Sequence, residues 1–166
     1  MSYWDRRKHL NYYHTALGFV ENLSGEGILD VGGWDTPMVL AGEFQNRLVV
    51  NLWKVNERLS GVEYHIGDFL AWPVKPFDVV LCLQVLEHLS DESVARFARK
   101  LFETATRHVV ISVPYKWRRG ASESHLQDPV DEHKLRSWTG QDPTASQVVT
   151  DGSMRRLVAF YNAGEG

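Results

Sequence analysis

The 166-residue chain has a single cysteine, Cys82, which rules out an internal disulfide framework and a cysteine-rich zinc site. Cys82 lies in Val79-Val80-Leu81-Cys82-Leu83. It therefore reads as a small buried hydrophobe, and a reducing, cytoplasmic location is expected. Long apolar runs are also missing. None approaches the roughly 20 residues that span a bilayer, so no membrane association is expected. The opening Met1-Ser2-Tyr3-Trp4-Asp5-Arg6-Arg7-Lys8 carries charge with no apolar block behind it, unlike a secretory leader. There is no excess of positive charge; the formal net charge is −3, which argues against nucleic acid as a partner. Repeats and low-complexity tracts are absent. What is present, 43% hydrophobic and 23% charged residues, has the balance of one globular domain over 1–166.

Leu10, Tyr13, Leu17 and Val20 recur at helical spacing and predict an amphipathic helix from about Trp4 to Leu23, stopped by Ser24-Gly25-Glu26-Gly27. Strand-like runs follow at Ile28 to Val31, Leu48 to Leu52, Val62 to Ile66, Phe77 to Leu83 and His108 to Val113. Most are continuously apolar, as in strands covered on both faces, which are usually parallel. Val94, Phe97, Ala98, Leu101 and Phe102 mark a helix between the last two, with Ser90 or Asp91 as its cap. Near the end, Gln147 to Thr150 and Leu157 to Tyr161 flank Asp151-Gly152, a hairpin turn signal with no room for a crossover helix. The expected fold is a Rossmann-like α/β one: a doubly wound, mostly parallel seven-stranded sheet with an antiparallel C-terminal hairpin. Residues 114–146 are too long for a simple connection and read as a lid or insertion.

In such a sheet, ligands bind at the carboxyl ends of the strands. After the first strand, Asp30-Val31-Gly32-Gly33-Trp34-Asp35-Thr36-Pro37 offers a glycine turn that allows close backbone approach. An ordinary turn would look the same. Asn51 ends the second strand 21 residues after Asp30, where a ribose-binding acid is usual; it can also be a plain strand-end cap. Gly67-Asp68-Phe69 offers a carboxylate for an amino group and a ring to pack beside it, or simply a turn. Gln84-Val85-Leu86-Glu87-His88-Leu89 closes the fourth strand.

The run Phe77 to Leu89 resembles the fourth-strand motif of class I S-adenosylmethionine-dependent methyltransferases. Asp30-Val31-Gly32-Gly33 resembles their first motif, Gly67-Asp68 their third and Ile111-Ser112-Val113-Pro114 their fifth strand. The resemblance spans roughly Ile28 to Pro114. It implies S-adenosyl-L-methionine as cofactor and S-adenosyl-L-homocysteine as product. It also implies a cofactor-binding set of Asp30, Gly32, Gly33, Asn51, Leu52, Asp68, Phe69, Leu83 and Gln84. Within that set the two glycines approach the methionine part, Asn51 holds the ribose, and Asp68 and Phe69 frame adenine. Trp34 stands where many members have a third glycine, and Asn51 where many have an acid.

His88 beside this pocket is read as structural or cofactor-shell ahead of general base. Tyr115 and His125, in the presumed lid, are further catalytic candidates. No metal is expected. His125, Asp128, Asp131 and His133 can ligate one, but Asp131 and Glu132 also suit the start of a short helix ending about Trp138. Lys116, Arg118 and Arg119 can attract an anionic acceptor or form a solvated loop. The expected activity is methyl transfer to an oxygen or nitrogen of a small-molecule acceptor. The alternative is a noncatalytic cofactor-binding or interaction domain on the same fold. A nicotinamide-dependent oxidoreductase would need a fuller glycine fingerprint and no closing hairpin. An oligomer is compatible, since a partner subunit can complete a short chain's pocket.

Overall fold

Seven strands form one sheet in the computed structural model, which describes residues 1–164. They are β1 (Ser24–Val31), β2 (Glu43–Asn51), β3 (Glu63–Ile66), β4 (Phe77–Leu83), β5 (Ala105–Pro114), β6 (Ala145–Asp151) and β7 (Met154–Asn162), ordered β3-β2-β1-β4-β5-β7-β6. The first five are parallel, and β7 runs antiparallel between β5 and β6. This is the expected doubly wound sheet with its closing hairpin.

Strand alternation divides the core into two layers. Leu29, Val31, Val80, Cys82, Val109, Ile111, Val113, Leu157 and Ala159 face one side, where α3 (Asp91–Thr104) and α4 (Glu132–Thr139) pack. Ile28, Val49, Val79, Leu81, Val110 and Val158 face the other, covered by α2 (Asn11–Val20) and a 3-10 turn at Pro37–Leu40. Helix α3 places Val94, Phe97, Ala98 and Leu101 on its inner stripe; fully burying a residue such as Leu101 is worth roughly 1.5–3 kcal/mol. Ser90 is its N-cap residue, although its hydroxyl donates to Ser93 Oγ and accepts from no helix N–H. Asp131 caps α4 by accepting from the Lys134 N–H at 2.8 Å.

Two expectations are corrected. The first helix is broken into α1 (Tyr3–Arg7) and α2, because the start of α2 is held from outside: Asn11 N–H donates to the Asp151 carboxylate at 2.8 Å. The segment Ser24-Gly25-Glu26-Gly27 is the first half of β1 and not a helix stop. The Asp78 carboxylate accepts from the N–H groups of Glu26 and Gly27 there, and side chains at Gly25 and Gly27 would collide with Asp78 and Phe77. Among the described residues no helix is long and apolar enough to cross a membrane.

Candidate active site

The chain winds from β1 outward to β3, then returns across β1 to β4, which places the topological switch between β1 and β4. A cleft of about 640 Å³ opens there, within the range of small-molecule sites. Of the residues singled out in the sequence, Gly32, Asn51, Leu52, Asp68, Phe69, Gln84 and His88 line it. Asp30, Gly33 and Leu83 lie beneath, around a small adjoining cavity shared with Tyr13 and Thr36. A wider depression of about 840 Å³ at the opposite, amino-terminal edge of β1 and β2 carries none of these residues.

The glycine turn is built by close approach. Gly32 has φ of 78°, and a Cβ there would sit 2.6 Å from Val85 Cγ2. A Cβ on Gly33 would strike the Asp30 carboxyl group below it. That carboxyl belongs to a residue 1% exposed, one of its oxygens lacks a hydrogen-bond partner among the described residues, and burial pushes its pKa up to about 7. Trp34 takes up the left-handed conformation of a glycine itself, with φ of 52°. Its ring stacks on Tyr3 at 5.4 Å and its carbonyl accepts from the Tyr64 hydroxyl, so the missing third glycine leaves the turn intact.

Asn51 is buried and its amide donates to the Trp53 carbonyl at 2.7 Å, so it caps the strand end while facing the cleft. Asp68 is exposed and accepts from the Leu70 N–H; Phe69 is buried against Trp72 and Phe97. Gln84 also sits at positive φ, 57°. Its amide donates to Ser112 Oγ and its carbonyl accepts from Arg156 Nε, both at 3.1 Å. Arg156 is itself buried, between the rings of Tyr12 and Trp117.

No protein-family model matches the sequence, and no curated protein matches it either. Solved structures do match. The chain is similar to magnesium protoporphyrin IX methyltransferase from Synechocystis PCC 6803 with bound SAH, at 15% identity and a TM-score of 0.70 over 95% of this chain and 84% of that one. It is similar to the 1,6-didemethyltoxoflavin-N1-methyltransferase of Burkholderia thailandensis, at 16% identity and TM-score 0.73 over 95% and 80%. It is also similar to the N-methyltransferase NodS of Bradyrhizobium japonicum WM9, at 13% identity and TM-score 0.69 over 97% and 88%. The chain has the class I methyltransferase fold.

On this methyltransferase fold the segment from β5 to α4 is anchored to the turn after β4. Leu126 and Gln127 donate backbone N–H groups to the Glu87 carbonyl, and Gln127 Nε2 reaches the Leu89 carbonyl and Asp91. These bonds fasten Leu126 and Gln127 to the fourth-strand motif and the first turn of α3. The segment brings His125 against His88, ring centroids 4.9 Å apart. His88 Nδ1 lies 3.0 Å from the Ser124 carbonyl, and partial desolvation of its ring, which stays 41% exposed, lowers its pKa. His125 Nδ1 pairs with the buried Asp128 at 2.7 Å, and Trp117 stacks on the His125 ring. Glu87 is wholly buried, neither of its carboxylate oxygens has a hydrogen-bond partner among the described residues, and burial pushes its pKa up to about 8.

Six residues singled out in the sequence are placed elsewhere. Tyr115 does not line the cleft; its hydroxyl donates to the Glu132 carboxylate at 3.0 Å. Asp131 is spent on the α4 cap, and His133 is exposed on that helix. Lys116, Arg118 and Arg119 are exposed and off the cleft. Sequence reasoning passed over Tyr3 and Arg7, which α1 lays across the cleft, and Glu87, which the motif contained. Nothing local marks Tyr3 and Arg7, since α1 reads only as helix; Glu87 carried a signal, as an acid inside an apolar run.

Proposed function

We propose that this chain transfers a methyl group from S-adenosylmethionine to an oxygen or nitrogen of a small-molecule acceptor, releasing S-adenosylhomocysteine. One observation carries the reading: the switch-point cleft, walled by bare backbone at Gly32 where any Cβ would strike Val85. The residues present suit this cofactor. Gly32 admits close approach of a polar ligand, and the carbonyl end of Asn51, whose amide is already engaged, can accept from a ribose hydroxyl. Asp68 can accept from an adenine amino group, with Phe69 and the exposed Leu52 and Trp53 as apolar walls.

When bound, the sulfonium supplies a methyl carbon already activated for in-line displacement, so the protein's work is alignment and exclusion of water. Tyr3 and Arg7 narrow the opening. Arg7, held by the Tyr12 and Tyr13 hydroxyls at 3.1 Å, is the cation that faces the cleft and suits an anionic acceptor. The new bond forms to the methyl carbon as the carbon–sulfur bond breaks, its electron pair staying on sulfur. The acceptor's proton leaves to solvent or to a neighbouring base. Solved structures named for small-molecule methyltransferases support a small acceptor. A cytoplasmic setting fits the buried, unreactive thiol of Cys82, its pKa raised by burial.

Calorimetry with S-adenosylmethionine and S-adenosylhomocysteine tests the binding, and release of the demethylated product across a panel of hydroxyl and amine acceptors tests the transfer. Micromolar binding with turnover is expected. Absence of binding overturns the reading; binding without any turnover favours the noncatalytic alternative.

A further inference from the structure

The turn after β4 and the wall from β5 to α4 bring together three groups that bond neither to one another nor to a common partner. Glu87 contributes a carboxylate with 0% exposure and two unpartnered oxygens. Such a group is costly to leave unmet in an apolar interior. His88 Nε2 lies 3.8 Å from Glu87 Oε1. One donor atom each from Glu87, His88 and His125 falls within 4.8 Å of the others.

Both imidazoles are already oriented through their other nitrogen. His88 Nδ1 meets the Ser124 carbonyl at 3.0 Å, and His125 Nδ1 meets Asp128 Oδ2 at 2.7 Å. That leaves Nε2 of each ring as the free donor. A carbonyl or carboxylate behind a ligating imidazole is the usual support of a metal ligand.

We propose that Glu87, His88 and His125 bind a divalent first-row transition-metal ion beside the cleft, with coordination positions left open for an acceptor oxygen. Two imidazoles with one carboxylate is a donor set for ions such as zinc or cobalt, and magnesium prefers oxygen donors alone. Ligands about 2.0–2.2 Å from one ion lie roughly 3–3.5 Å apart, so small side-chain rotations close the present spacing. Arg7 and Arg156 oppose the ion's charge from nearby. Both are otherwise engaged: Arg7 by two tyrosine hydroxyls, Arg156 by Gln84 and Asp151. Asp128, whose Oδ1 has no partner among the described residues, adds negative charge beside Glu87. The set differs from the one the sequence suggested, sharing only His125 with the cluster of Asp128, Asp131 and His133.

The acceptor assignment rests on the methyltransferase reading; the metal site does not. An alcohol or phenol bound through its oxygen would release its proton to water more readily at neutral pH. Its oxygen then forms the bond to the methyl carbon, with the sulfur keeping the electron pair of the bond that breaks. His88 then acts on the acceptor through the ion and not as a base.

The test is titration of chelator-treated protein with Co2+, followed by visible absorption and calorimetry. One saturable site is expected, displaced by Zn2+ and not by a hundredfold excess of Mg2+. His88→Ala and His125→Ala should each weaken Co2+ binding at least tenfold, and Asp128→Asn about 10–100-fold. His133→Ala, exposed on α4, should leave it unchanged. Circular dichroism confirms that each variant is folded, and the exposed His88 is the substitution least coupled to folding. No saturable signal, an undiminished signal in the folded His88→Ala protein, or displacement by Mg2+ overturns the proposal. Co2+ binding without S-adenosylmethionine binding would keep the metal site and remove the methyltransferase reading; the reverse pattern would do the opposite.

Discussion

Gly32 combines a positive φ with a neighbour where its side chain would be, so substitution there is strained twice over. Gly32→Val should cost about 1–3 kcal/mol of stability and weaken S-adenosylmethionine binding at least tenfold; denaturant unfolding and calorimetry measure the two effects separately. Asp30 carries a pH signature. Its carboxyl sits at about 7 in the fold against an ordinary 3.8, so the folded chain binds the proton more tightly than the unfolded one. Its favourable contribution is full below about pH 4 and is lost as pH rises through about 7. Asp30→Asn, neutral throughout, should therefore gain on the wild type between pH 5 and pH 8. Denaturation at the two pH values decides it, and parallel pH dependence in both proteins would refute the assignment. Trp34 marks the limit of reading residues from sequence: type alone does not reveal a left-handed tryptophan whose strain, of order 1–2 kcal/mol, is offset by stacking on Tyr3.

At the scale of elements, strands buried on both faces were legible as apolar runs, and β4 occupies the predicted span Phe77 to Leu83. Helix α3 was legible from its apolar stripe, and the hairpin from Asp151-Gly152. The break between α1 and α2 was not, because Asp151 from the hairpin supplies the carboxylate that holds Asn11. Partners 140 residues apart leave no trace in a local pattern. The same holds for Arg156, which joins β7 to Gln84 and Asp151. Arg156→Ala should cost about 1–3 kcal/mol, since it removes the donor to the Gln84 amide oxygen and the cation beside Asp151, whose other oxygen keeps the Asn11 N–H. Urea unfolding checks it, and a change under 1 kcal/mol would contradict the role given to this side chain.

For the whole molecule, the strand order puts the switch point between β1 and β4; the sequence signals indicated the mostly parallel sheet and its hairpin, and with them the carboxyl ends of the strands as the place for a ligand. The part of the site drawn from β1, β2 and β4 was legible for that reason. The covering parts, Tyr3 and Arg7 from α1 and Ser124 from the wall, depend on how remote segments fold back, which periodicity does not encode. Under the proposed function, a ligand that binds only the folded chain adds about 2.7 kcal/mol at a hundred times its Kd. S-adenosylhomocysteine at that excess should raise Tm by about 5–10 °C, and Gly32→Val should abolish the shift in a thermal melt.

The position of β7 has a consequence for the order of assembly. It is wedged between β5 and β6, and Arg156 on it reaches across 72 residues of chain to Gln84 on the cleft floor. A partly folded intermediate holding only β1 to β5 would have the glycine turn but lack the clamp on its floor. Ligand competence therefore arrives with the last pairing of the sheet, and refolding followed by cofactor uptake should track completion of the hairpin, not the earlier collapse.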